Sequence, residues 1–69
     1  MPLTFLSCGQ EATIKHITGR DETKKFLESM GFIRGEKVKV VSSNSDNLII
    51  LVRGTRLALD NSMAFRIHI

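Results

Sequence analysis

The sequence predicts a mainly β fold: a small closed barrel of about five short strands, with one short α-helix between the first and second strands and a helical turn before the last. Three observations carry that expectation. From residue 35 onward apolar and polar residues alternate in short stretches, one earlier stretch has helical spacing, and glycines or polar clusters separate the stretches. Five short strands need closure to hide their edges, and one helix is enough to plug the result.

The elements follow in order. Residues 11 to 17 carry Ala12, Ile14 and Ile17, and the three-residue step between the isoleucines calls for a bulge that turns both inward. Thr18-Gly19-Arg20 reads as a turn, and Asp21 caps a helix running to about Met30. Phe26, Leu27 and Met30 share one helical face. Gly31 is placed for the left-handed residue that ends a helix, with Phe32 folding back onto Leu27 in a Schellman-type contact.

Val38 and Val40 alternate with Lys37 and Lys39 in the next strand, and residues 42 to 47 form a polar loop. Residues 48 to 53 are apolar on both faces, which suits a central strand covered on each side. Gly54-Thr55 reads as a two-residue type II′ hairpin with glycine first, and Arg56 to Leu59 pairs back with Leu57 and Leu59 on one side. Asp60-Asn61-Ser62 offers caps for one helical turn through Ala64. The last strand then points Ile67 and Ile69 inward, with Arg66 and His68 outward.

Composition bounds what such a fold does. A chain of 69 residues with 42% hydrophobic and 25% charged residues is one packed domain, spanning residues 1–69, with a small stability margin. One cysteine allows no internal disulfide and no cysteine-rich zinc site, and fits a reducing cytoplasm. No apolar run approaches the ~20 residues that span a bilayer, and the N-terminus lacks the pattern of a secretory signal. The net charge of +3 is spread along the chain, and without Trp or Tyr it offers no stacking platform for nucleic acid.

In its order of motifs the chain resembles the ferrous iron transport protein A (FeoA) family, and is similar to the SH3-like domain appended to iron-dependent repressors of the diphtheria toxin type. The residues that carry this are Leu3, Leu6 and Gly9, then Ile14, Ile17 and Gly19. Next comes the run Leu27-Glu28-Ser29-Met30-Gly31-Phe32-Ile33-Arg34-Gly35. Val38, Val40, Val52-Arg53-Gly54, Leu57-Ala58-Leu59, Ala64, Ile67 and Ile69 complete it. Cys8 and Arg34 stand where proline is common in the family. The resemblance implies an SH3-like barrel and an accessory role in ferrous iron uptake. Its partner would be the FeoB-type membrane transporter, met at the cytosolic GTPase region. A repressor would need a second helix for its DNA-binding motif, which this chain has no room for.

The candidate partner-binding residues are Lys24, Lys25, Leu27, Met30, Ile33 and Arg34 around the helix, and Arg53 and Arg56 at the hairpin. An apolar patch with a basic rim suits an acidic protein surface. Gly9, Gly19, Gly31, Gly35 and Gly54 are structural turn positions. Core packing and solvated helix faces account for several of these side chains as well.

No catalytic residue, cofactor or resident metal is expected. Cys8, His16 and His68 match no metal-ligand spacing, no glycine-rich phosphate loop is present, and nothing places a nucleophile beside a base. Two alternatives remain from other classes: a small nucleic-acid-binding barrel, and an accessory protein that binds a transition metal, with Cys8 or a histidine shared between chains.

Overall fold

The computed structural model describes residues 1–69 and is mainly β. After a 3-10 turn at Leu3–Phe5 come β1 (Glu11–Thr13), β2 (His16–Ile17), α1 (Glu22–Ser29), β3 (Lys37–Ser43), β4 (Asn47–Val52), β5 (Thr55–Asp60), α2 (Asn61–Phe65) and β6 (Ile67–His68). Two antiparallel sheets result, one with the order β1-β3-β4-β5 and one made of β2 and β6.

The stretch read as one bulged strand is instead two strands in different sheets. Ala12 faces Val38 across the β1–β3 pair, whereas Ile17 faces Ile67 across β2–β6. Between them the Ile14 N–H donates to the Glu36 carbonyl at 2.9 Å and the Lys15 N–H to the His68 carbonyl at 2.7 Å, so the chain changes partners at a corner. Both isoleucines still reach the core, because the corner rotates the strand as a bulge would have done. The bulge lies elsewhere: the β3–β4 register shifts between Val40 and Ser42, leaving Val41 as the extra residue.

One cluster of 13 buried apolar residues joins both sheets, and β4 supplies its centre through Leu48, Ile50 and Val52. Burying an isoleucine or leucine side chain completely contributes roughly 1.5–3 kcal/mol. The opposite face of β4 differs from expectation. Ile49 and Leu51 are only half-buried, since no element lies over the outer side of the sheet. No ladder joins β5 to β6; α2 spans that gap and sets Ala64 in the core, so strand pairing leaves the barrel open on this side.

α1 forms where its signals place it. The Asp21 carboxylate accepts the Lys24 N–H, and the Gly31 N–H and Phe32 N–H donate to the Glu28 and Leu27 carbonyls at 3.1 Å each. That is a Schellman motif with Gly31 at φ +102°. A side chain there would also meet the Arg53 Cδ at 2.9 Å. Leu27 and Phe32 are both fully buried, but Phe26 is 50% exposed. An eight-residue helix lying against a small barrel turns a narrow stripe inward, and Leu27 with the partly buried Met30 fills it.

The β4–β5 hairpin turns one residue earlier than the sequence suggested. Val52 faces Thr55, so the loop is Arg53-Gly54, and both residues have positive φ, 53° and 79°. This is a type I′ turn, whose twist matches that of the strands. The polar loop before β4 is also shorter than read, because β3 extends to Ser43 and Asn44 closes the turn by accepting the Asp46 and Asn47 N–H groups.

Candidate partner-binding surface

Six of the eight candidate residues fall into two groups on either side of α1. On one side a cleft between β2 and the helix is lined by Lys15, His16, Lys24, Glu28, Ile33 and Arg34. Ile33 is 43% exposed there, an apolar spot among three cations and one carboxylate. On the other side a cleft of about 400 Å³ lies between the C-terminal end of α1 and the hairpin, with Met30, Val52 and Leu57 as its apolar lining and Arg53 at its lip. Arg56 follows on β5, fully outside the core.

Leu27 belongs to neither group. It is wholly buried, because it is the side chain that anchors the helix, and it has no surface to offer. Lys25 is exposed but lines neither cleft.

Three features were not legible from the sequence. The widest concavity, about 640 Å³, is an open groove between the 3-10 turn, the β3–β4 loop and α2, with Leu6, Leu48 and the exposed Phe65 along it. His16 and His68 face each other across β2–β6 and stack with ring centroids 4.5 Å apart. Burial, then the His16 charge and the amino terminus, push His68 below its ordinary value of 6.5. The pair depends on the β2–β6 register, which no local signal in the sequence carries.

The third feature is an ion pair. Arg66 donates to both carboxylate oxygens of Asp21, at 2.6 and 2.8 Å, while Asp21 also caps α1. Arg66, and then the Lys24 N–H, hold the Asp21 carboxyl down to about 2. Gly19 leaves room for the guanidinium, which would lie 2.9 Å from any Cβ placed there. Arg66 lies not on the last strand, where the sequence put it, but at the end of α2 just before β6, so this contact ties the start of α1 to the α2–β6 junction.

Cys8 is exposed, with its Sγ 3.8 Å from the Ser43 Oγ, and no three His, Cys, Asp or Glu side chains gather into one group. No helix is long and apolar enough to cross a membrane.

With this geometry in place, comparison with known proteins fixes the family. The FeoA domain pattern matches residues 1–69, the whole chain. The chain belongs to the FeoA family. It is 31% identical to a candidate Fe(2+) transport protein A of Methanocaldococcus jannaschii over 68 residues, covering 99% of this chain and 83% of that protein. The crystal structure of Stenotrophomonas maltophilia FeoA with zinc, described as a prokaryotic SH3 domain protein, superposes with a TM-score of 0.89 at 28% identity. That match covers 99% of this chain and 87% of the other. The crystal structure of T. acidophilum IdeR matches at TM-score 0.85 and 28% identity, over 97% of this chain but 32% of that one. The expected resemblance to an appended repressor domain therefore holds at the level of the fold, and the FeoA chain corresponds to that domain alone.

Proposed function

We propose that this FeoA chain is a cytoplasmic accessory protein of ferrous iron uptake that docks on the GTPase region of a FeoB-type transporter and changes its activity or assembly. The observation that carries the reading is the family match over the full chain, joined to a surface with two clefts in which apolar side chains stand beside cations. The S. maltophilia relative, discussed as an activating factor for ferrous iron transport, supports the same role. Lys24, Ile33 and Arg34 on one side of the helix, and Met30, Arg53 and Arg56 on the other, are the contacts we assign to docking. Cations around an apolar centre steer an acidic surface and then exclude water from it.

The test is binding of the intact chain to the purified transporter GTPase domain without nucleotide, with GDP and with a GTP analogue. Saturable binding in at least one state is expected. Its absence in all three, with normal ferrous iron uptake in cells lacking the chain, overturns the proposal.

A further inference from the structure

The β5 strand has one partner. Its alternation directs the N–H and C=O groups of Thr55, Leu57 and Leu59 toward β4, and the same phase continues beyond the strand, where the Asn61 N–H reaches the Asp46 carbonyl at 3.2 Å. The backbone groups of Arg56 and Ala58 therefore point off the free edge, and both residues are exposed.

What surrounds this edge differs on its two faces. Beneath it, on the Leu57 side, lies a cleft whose apolar side chains are Met30, Val52 and Leu57, with Ser29, Thr55 and Arg53 around them. Above it, Arg56 continues a row across the sheet in which Lys39 faces Leu51 and Leu51 faces Arg56. Arg53 stands at the turn beside both. A cation on an edge strand often serves only to repel other edges. A purely defensive edge has no need of an apolar cleft directly under it.

We infer that the free edge of β5 is a strand-addition site for an extended segment of a partner protein in which apolar and acidic side chains alternate. Strand periodicity dictates the alternation: a residue added opposite Leu57 points into the apolar cleft, and its neighbour, opposite Arg56, points to the cationic face. Backbone hydrogen bonds to Arg56 and Ala58 supply the pairing, and the side chains supply the choice of partner. A second copy of this chain fits less well. The chain carries a net charge of +3, and Asp60, the acid of β5, is engaged by Met63 N–H and Ser62 Oγ as the cap of α2. Two such edges would meet with arginines on both sides and no free acid between them. The inference rests on reading the chain as a partner-binding domain, and adds how the partner is held.

The experiment uses the full chain and synthetic peptides, read by NMR amide exchange and calorimetry. A peptide of alternating Val and Glu is expected to bind and to slow exchange at the Arg56 and Ala58 N–H groups. The same peptide N-methylated on the residues that face the edge, or one alternating Val and Lys, is expected not to bind. Arg56→Glu should weaken the Glu peptide on the order of tenfold or more and restore the Lys peptide. Ala58→Pro removes an N–H that faces solvent, so the β4 ladder survives and peptide binding is lost.

Protection centred on the Phe65 groove, or none at Arg56 and Ala58, overturns the inference. So does concentration-dependent protection of the same two amides without peptide, which would make a second copy the occupant. Failure here separates from failure of the docking reading. A transporter domain that binds wild type and Ala58→Pro equally, and is weakened by Arg56→Glu, leaves docking standing and removes the edge site. Peptide binding without transporter binding does the reverse.

Discussion

The β3–β4–β5 meander and the β2–β6 corner share one apolar core through Ile14, Ile17 and Ile67, but the corner adds polar ties that the meander lacks. In the meander, neighbours in sequence pair in space, and Val38, Val40, Leu48, Ile50, Val52 and Leu59 all turn into one dry cluster. At the corner only two residue pairs form the ladder, and beside the buried Ile17–Ile67 pair stand polar ties: the Asp21–Arg66 ion pair, the stacked histidines and the Thr18 N–H to Arg66 carbonyl bond at 2.9 Å. Burial of hydrocarbon is insensitive to pH, whereas every polar tie at the corner includes or neighbours a titrating group. The contrast means that acid should loosen this protein from one side.

The largest effect that would test the contrast lies in the meander. Ile50→Asp places a carboxylate at a position with no solvent exposure, at a cost of several kcal/mol against a margin of about the same size, so the cooperative thermal transition should vanish. A melt near the parent's temperature would refute the central role of β4. Gly31→Ala comes next. Its left-handed backbone penalises a side chain by about 1–2 kcal/mol, and the Arg53 side chain must also move; denaturant titration should show a lower midpoint with an unchanged slope.

The corner yields smaller, pH-dependent effects. The Asp21 carboxyl is depressed, so its contribution is whole above the unfolded value of 3.8 and is lost as pH falls through about 2. Melting temperature should therefore drop across that window, and Asp21→Asn should remove this part of the drop. His68 is also depressed, so the unfolded chain binds its proton first as pH falls through 6.5, and stability should decline there. His68→Gln should flatten the profile between neutrality and mild acid. A wild-type profile already flat in that range would show that the stacked pair carries no charge-dependent stability.

The same contrast explains what could be read from the sequence. Signals that act over a few residues were legible: Asp21 as a cap, Gly31 and Phe32 as a Schellman ending, Val38 and Val40 facing one way, Asp60 opening a helical turn. Pairings between distant segments were not. The split between β1 and β2 depends on β6 arriving beside Ile17, and the Asp21–Arg66 and His16–His68 contacts depend on the same event. The hairpin was misplaced by one residue because Arg53, a non-glycine, takes a left-handed conformation that only the β4–β5 register reveals. Among the docking candidates, Lys24, Ile33 and Arg34 do share a cleft. Leu27 could not be separated from them, since a helical stripe does not say which of its members faces outward first.

The Thr18 hydroxyl reaches the Arg66 carbonyl across 48 positions of chain. A contact of that span has to wait for the intervening loop to close, an entropy cost that a hairpin never meets. On that ground the meander, which closes short loops, is expected to form before the two-stranded seam, and the seam to open first. Amide exchange at Lys15 and Thr18 should accordingly outpace exchange within β4, giving the molecule a built-in latch beside the cleft that holds Ile33.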